Sequence, residues 1–170
     1  MRLFAALPLD EEGKKAISAY RRDLEKLGVT GNFTRPENLH ITLAFLGEQP
    51  EWESAAEALE QVEAETGVLL LDRLDTFGRG NILGLSPTED APVRPLAASV
   101  ESALRDAGFA LEKRRFRAHI TLCRELRAPK GTVLPPPPAV SVPVERMVLY
   151  LSHRPRGRLT YTPLWQKEFV

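Results

Sequence analysis

An α+β fold is the class that this sequence predicts for the chain. Segments with strand patterns and segments with helix patterns are mixed, without the regular strand–helix alternation of a doubly wound parallel sheet. A four-residue motif also occurs twice, 79 residues apart, which is close to half of the 170 residues and suggests internal duplication. Because 43% of the residues are hydrophobic, the chain can bury a core, and overall disorder is excluded.

The first half begins with a predicted strand over Arg2–Leu9, followed by a helix that Asp10 can cap. This helix carries its apolar residues on one face and ends at Gly28. The remaining elements predicted for this half are a strand over Leu39–Gly47, a helix that starts at Pro50, and strands over Val68–Phe77 and Asn81–Leu85 around a turn at 78–80.

The second half is predicted to begin with a helix over Pro92–Ala107, because apolar residues recur there at helical spacing and Gly108 follows. The Pro135–Pro138 run is predicted to be a loop, since proline cannot donate to the hydrogen-bond ladder of a sheet. Three further strands are predicted, near Arg115–Cys123, Arg146–Ser152 and Arg158–Phe169.

The charges balance overall, with 23 basic and 23 acidic residues, which argues against a general DNA-coating protein. They are unevenly distributed along the chain. Residues 1–100 hold 10 Lys/Arg and 17 Asp/Glu, whereas residues 101–170 hold 13 Lys/Arg and 6 Asp/Glu. The basic second half could steer an anionic substrate, although a solvated surface explains the excess equally well.

The chain has a single cysteine, Cys123, which excludes an intrachain disulfide and a cysteine-based zinc site. Strand alternation places Cys123 on the same face as His119, but we interpret it as a small buried residue rather than a nucleophile. The apolar run Leu3–Leu9 is too short for a signal peptide or a membrane span. We therefore expect a cytoplasmic protein that has no membrane partner, and nothing in the sequence implies a protein partner.

The repeated motif is His-Ile-Thr-Leu, which occurs at residues 40–43 and again at residues 119–122. Successive side chains of a strand point to opposite faces, so each motif presents its histidine and threonine on one face and buries its two aliphatic residues on the other. If the two strands meet at a cleft, the polar side chains that converge there are His40, Thr42, His119 and Thr121.

Two imidazoles suit general acid–base catalysis near neutral pH, and two hydroxyls can donate hydrogen bonds to phosphate oxygens. A metal site is the competing interpretation. However, zinc requires three or four ligands, and neither motif has a second histidine, cysteine or carboxylate at a ligating spacing. The pattern therefore favours metal-independent phosphoryl transfer.

The flanks of both motifs resemble those of a known family. The segments Arg35–Glu48 and Phe116–Arg124 are similar to the two motif regions of the RNA 2′,3′-cyclic phosphodiesterases, also called 2′-5′ RNA ligases, within the two-histidine phosphoesterases. The strand at 2–7 and the tail at 157–165 also fit, so the resemblance spans nearly the whole chain. One departure is Ala118, where proline is usual in the family; it removes no functional group.

The resemblance implies a single bilobal domain over residues 1–170, with two lobes of antiparallel sheet and flanking helices around a central cleft. It also implies that His40 and His119 are catalytic, and that Thr42 and Thr121 bind the phosphate. Arg124, five residues after the second histidine, matches a family arginine, and Phe45 matches an aromatic at the same offset in the first motif.

Two of these assignments are in tension with the local pattern. Strict alternation puts Arg124 on the face opposite His119, so a role in the site requires the strand to twist, bulge or end there. Phe45 could stack on a base, but it could equally pack in the core. His153 matches no family motif and is predicted to lie in a solvated, arginine-rich loop, with an RNA backbone contact as the alternative.

The function that we expect is hydrolysis of an RNA-terminal 2′,3′-cyclic phosphate to a 2′-phosphate, with His119 as base, His40 as acid and no cofactor. The reverse reaction would join RNA ends through a 2′-5′ bond without ATP. Two alternatives stay open: a nucleotide-binding or sensor domain without useful turnover, and an esterase for another cyclic or 2′-5′-linked nucleotide.

Overall fold

The computed structural model describes all 170 residues, from Met1 to Val170. It contains three α-helices and ten β-strands. The helices are α1 (Glu11–Lys26), α2 (Glu53–Leu59) and α3 (Arg94–Asp106). The strands are β1 (Arg2–Pro8), β2 (Thr30–Phe33), β3 (His40–Glu48), β4 (Gly67–Leu71), β5 (Arg73–Phe77), β6 (Ile82–Ser86), β7 (Ile120–Arg127), β8 (Val140–Val144), β9 (Arg146–His153) and β10 (Thr160–Glu168).

Eight of the strands form one sheet that consists of two antiparallel halves. The first half has the order β10-β9-β1-β3, and in the second half β7 lies between β2 and β6, with β5 at the outer edge. The halves meet where β3 runs beside β7, and a single residue pair, Ile41 with Ile120, joins the two strands. The chain thus forms two half-sheets, and each repeated motif lies at the junction.

Helix α1 illustrates how local sequence signals define an element. The side chain of Asp10 accepts a hydrogen bond of 2.9 Å from the backbone N–H of Gly13, which satisfies a free donor of the first turn. Its inner face buries Ile17, Tyr20 and Leu24. The helix stops before Gly28, whose φ of +85° is a conformation that favours glycine. The cap, the apolar stripe and the terminating glycine are as predicted.

The Pro135–Pro138 run is a loop, as predicted, and one of its carbonyls is anchored to helix α1. The Tyr20 hydroxyl donates a hydrogen bond of 2.7 Å to the carbonyl oxygen of Pro135, and burial raises the pKa of Tyr20 to about 12. The segment leads directly into β8, which pairs with β4 in a separate two-stranded sheet. The sequence pattern does not predict β8, because the preceding prolines obscure its short apolar alternation.

The predicted strand over Val68–Phe77 is in fact two strands, because the extended segment is interrupted at Asp72. Strand β4 pairs with β8 in the small sheet, whereas β5 pairs with β6 in the large one. No local pattern predicts β2, whose residues are mostly exposed and which is held by pairing with β7. The strand predicted to begin near Arg115 begins at Ile120 and extends to Arg127.

A cluster of 36 buried residues spans both half-sheets and all three helices. The aliphatic residues of the two motifs belong to this core, since Ile41 and Ile120 are 0% exposed and Leu43 and Leu122 are nearly as buried. The α+β prediction is confirmed by this mostly antiparallel sheet with its helices. None of the helices combines the length and the apolarity that crossing a membrane would need.

Candidate active site at the junction of the half-sheets

The two motif histidines are held by the same local hydrogen bond. The Nδ1 of His40 donates to the carbonyl oxygen of Asn38 at 2.7 Å, and the Nδ1 of His119 donates to that of Arg117 at 2.9 Å. A carbonyl can only accept, so Nδ1 carries the proton and Nε2 of the neutral ring keeps its lone pair. In both motifs the acceptor lies two residues before the histidine, so the duplication extends to the tautomer of the ring.

The Nε2 atoms of the two histidines differ in what they contact. The Thr42 hydroxyl donates a hydrogen bond of 2.8 Å to Nε2 of His40. No side chain of the protein hydrogen-bonds Nε2 of His119, and its neighbour Thr121 is only half-buried. The lone pair on Nε2 of His40 is therefore taken by Thr42, whereas that of His119 has no side-chain partner and suits a proton acceptor.

A β-bulge follows the threonine in both strands and resolves the tension over Arg124. In the pairing of β6 with β7, Thr121 lies opposite Gly84 and Cys123 opposite Leu83, so Leu122 is skipped. An extra residue reverses the alternation of the side chains beyond it. Arg124 consequently lies on the same face as His119 and Thr121, and not on the opposite face that strict alternation predicts.

The same bulge occurs at the matching position of β3. Thr42 pairs with Ala6 and Ala44 pairs with Ala5, so Leu43 is skipped, as Leu122 is in β7. Phe45 is thereby brought to the face of His40, where its side chain is 63% exposed. The alternative of core packing for Phe45 is wrong. The residue five places after each histidine thus faces the junction, as an aromatic in one half and as an arginine in the other.

The charge of Arg124 reaches both histidines, although its guanidinium takes part in no ion pair within the protein. Burial lowers the pKa of His40 to about 4, and the positive charges of His119 and Arg124 add to this. Burial also lowers the pKa of His119, with smaller contributions from Arg117 and Arg124. Both shifts favour the neutral form of the imidazole rings near pH 7.

Aromatic rings surround the two histidines. The ring of Phe4 lies 5.0 Å from that of His40, and the ring of Tyr161 meets His40 edge-on at 5.3 Å between centroids. Phe77 lies 4.6 Å from His119. Phe77 fits because residue 84 is glycine: a Cβ there would come within 2.9 Å of the Phe77 ring. Phe4, Tyr161 and Phe77 were not predicted as site residues, because only the pairing of distant strands brings them to the histidines.

Two residues that the sequence singled out lie away from the site. Cys123 is 0% exposed, and burial raises the pKa of its thiol, in agreement with the interpretation as a small buried residue. Its predicted position on the His119 face is wrong, because the bulge at Leu122 intervenes. His153 ends strand β9 rather than lying in a loop, and a hydrogen bond of 2.7 Å joins its Nε2 to the Thr162 hydroxyl.

The strand alternation also assigns His153 to one side of the sheet. His153 pairs with Thr160 while its neighbour Ser152 pairs with Tyr161, so His153 lies on the face opposite the Tyr161 ring. Nowhere does the structure bring together three or more histidine, cysteine, aspartate or glutamate side chains in an arrangement that could hold a metal ion.

Comparison with known proteins adds several likenesses to this geometry. The family model described as "LigT like Phosphoesterase" matches residues 7–84. The RNA 2′,3′-cyclic phosphodiesterase of Escherichia coli K12 is 34% identical over 169 residues, which cover 96% of this chain and 93% of that protein. The RNA 2′,3′-cyclic phosphodiesterase of Geobacillus stearothermophilus is 36% identical over 129 residues, which are 72% of this chain and only 41% of that protein.

Solved structures show the same likeness in three dimensions. The crystal structure of E. coli LigT complexed with 3′-AMP superposes with a TM-score of 0.85 at 30% identity, over 99% of this chain and 97% of that one. The crystal structure of E. coli LigT complexed with phosphate has a TM-score of 0.79 at 28% identity, over 99% and 96% of the respective chains. The antiparallel half-sheets and their junction are thus an arrangement that LigT shares.

Proposed function

Since this chain belongs to the family of the LigT-like RNA 2′,3′-cyclic phosphodiesterases, we propose that it hydrolyses an RNA-terminal 2′,3′-cyclic phosphate to a 2′-phosphate. The family and the enzyme class expected from the sequence are confirmed by the relatives. The observation that carries the proposal is the duplicated arrangement of the two motifs. In each, the histidine donates from Nδ1 to a backbone carbonyl and lies on the same face of the sheet as the motif threonine. We also propose that residues 1–170 form a single bilobal domain.

The proposed reaction is an in-line displacement at phosphorus. His119 takes a proton from a water molecule, whose oxygen forms a bond to phosphorus on one side. The bond from phosphorus to O3′ breaks on the other side, and His40 donates the proton that O3′ needs. The free lone pair on Nε2 of His119 supports its assignment as the base.

The role of His40 as the acid requires a change on binding. Its pKa of about 4 in the ligand-free protein means that the ring is neutral near pH 7. The negative charge of the bound cyclic phosphate would raise this pKa, because an opposite charge at close range favours the protonated imidazole. It would also offer the Thr42 hydroxyl a stronger acceptor than Nε2 of His40.

The phosphate would be held by Thr42, Thr121 and Arg124, which lie on the same face as the histidines. Two hydroxyls and a guanidinium can donate to the non-bridging oxygens and stabilise the negative charge that develops in the transition state. Arg124 would supply the unpaired positive charge of the site, and the exposed ring of Phe45 would stack on the terminal base.

No cofactor enters this mechanism. Strain in the five-membered cyclic phosphate already activates the ester, so the reverse attack by an RNA 5′-hydroxyl would form a 2′-5′ bond without ATP. The absence of clustered ligating side chains supports a metal-independent reaction. We propose a cytoplasmic location, which suits an RNA substrate and a free cysteine.

The decisive experiment is product analysis on an RNA oligonucleotide that ends in a 2′,3′-cyclic phosphate, with chromatography against authentic 2′- and 3′-phosphate standards. A single 2′-phosphate product is expected, because a fixed phosphate leaves only one ester oxygen near the acid. A dominant 3′-phosphate would mean that the ribose binds in the opposite sense, and a mixture would argue against a fixed site.

The two alternatives are tested in the same assay. A nucleotide-binding or sensor domain would bind the oligonucleotide without turnover. An esterase for another substrate would prefer a different cyclic or 2′-5′-linked nucleotide in a parallel panel. The double variant His40→Ala/His119→Ala, purified in the same way, controls for contaminating phosphodiesterases.

A further inference from the structure

A polar groove of about 350 Å³ lies beside the second motif. Arg117 and Ala118, the two residues that precede His119, form part of its wall, so the groove begins next to the reacting site. Four arginines and one carboxylate line it: Arg73, Arg94, Arg115, Arg117 and Asp90. The excess of positive charge makes the groove suitable for an anion.

The arginines are held to different degrees. Arg117 donates to Oδ2 of Asp75 at 2.8 Å, and Arg73 lies 3.9 Å from the same oxygen. Arg94 is paired with Asp90. Arg115, in contrast, is exposed, and its side chain takes part in no ion pair or hydrogen bond within the protein. The groove therefore contains two guanidiniums that share a carboxylate and one that is fully available.

We infer that this groove binds the phosphates of the RNA strand upstream of the cyclic end, so that the enzyme prefers an oligonucleotide to a mononucleotide. This inference rests on the proposed function. Guanidinium groups present planar pairs of N–H donors that match phosphate oxygens, and four such groups line the groove. The Nδ1 of His119 donates to the carbonyl oxygen of Arg117, so the wall of the groove directly adjoins the ring of His119.

The test compares two substrates in the variant Arg115→Glu, which alters the groove without breaking an internal ion pair. The substrates are a nucleoside 2′,3′-cyclic phosphate and a pentanucleotide that ends in the same group. We expect kcat/KM for the pentanucleotide to fall by about tenfold, mainly through KM, and its salt dependence to become shallower. The value for the mononucleotide should stay within about twofold of the wild type. Arg22→Glu, an equal charge reversal on the exposed side of α1 outside the groove, is the matched control.

Three results would contradict the assignment of the groove as an RNA-binding site. They are an unchanged kcat/KM for the pentanucleotide, an equal loss of kcat/KM on both substrates, or the same loss in Arg22→Glu. If the wild type hydrolyses neither substrate, the proposed function fails, and binding then tests the groove separately. Fluorescence anisotropy with a labelled pentanucleotide that ends in a 2′-phosphate should show about tenfold weaker binding to Arg115→Glu than to the wild type. Equal binding by the two proteins would show that the groove does not bind the RNA strand.

Discussion

Ile41 and Ile120, the second residues of the two motifs, are paired with each other and form the only bridge between the half-sheets. An antiparallel pair has a local two-fold axis, which here passes between the two isoleucines and exchanges one motif with the other. Both isoleucines are fully buried, so the histidines and threonines on either side of them share the opposite face. One buried pair thus aligns four polar side chains.

Removing either histidine should abolish most of the activity. For His40→Ala and His119→Ala we expect turnover to fall by roughly a hundredfold to ten-thousandfold, the usual share of a general acid or base, with the fold intact by circular dichroism. His153→Ala is the matched control, because His153 lies on the other face of the sheet and should retain nearly full activity. Near-normal turnover in either motif variant would remove that histidine from the mechanism.

Arg124 should act mainly on the transition state. For Arg124→Ala we expect kcat to fall by about a hundredfold, the loss typical of a removed charge-stabilising donor, with a smaller change in KM. Arg127→Ala removes an exposed arginine at the end of the same strand and should be silent. If Arg124→Ala turns over like the wild type, the bulge does not direct this side chain at the phosphate.

Acid should destabilise the protein through His40. Its pKa is about 4 in the folded chain, against the ordinary value of 6.5, so the unfolded chain binds the proton more tightly. The free energy of unfolding should therefore fall as the pH drops from 6.5 towards 4, by at most about 3 kcal/mol from this group. Denaturant titrations at pH 4, 5 and 6.5 should show a weaker dependence in His40→Gln. Identical dependence in the two proteins would contradict the burial of a neutral imidazole.

Ligand binding should reverse that shift. If the phosphate raises the pKa of His40, the wild type should bind more protons than His40→Gln when it takes up a 2′-phosphorylated nucleotide near pH 6. Calorimetry in buffers of different ionisation enthalpy measures this number directly. The phosphate monoester itself titrates near pH 6 and contributes equally in both proteins, so equal proton numbers for the wild type and His40→Gln would argue against His40 as the acid.

Chelation should leave the reaction unaffected. Full activity is expected after dialysis against EDTA, because the chain presents no cluster of ligating side chains. A loss of activity that Mg²⁺ or Zn²⁺ restores would refute the metal-free mechanism, whereas a loss that no metal restores would indicate damage to the protein.

The sequence alone was sufficient for the elements and residues that depend on local periodicity. The alternation within each motif predicted which residues are buried, and the cap at Asp10 and the stop at Gly28 predicted the limits of α1. The repeat itself predicted that both histidines and both threonines lie together on one face. These features depend on side-chain directions within a few consecutive residues, which a strand or helix imposes wherever it lies in the fold.

Only the tertiary structure decided what depends on hydrogen bonds between distant strands. The bulges at Leu43 and Leu122 exist because of pairing with β1 and β6, and they alone bring Phe45 and Arg124 to the face of the two histidines. Tyr161 reaches His40 from the last strand, more than a hundred residues away. A bulge leaves no mark in the local pattern, because the extra residue is defined by the partner strand that skips it.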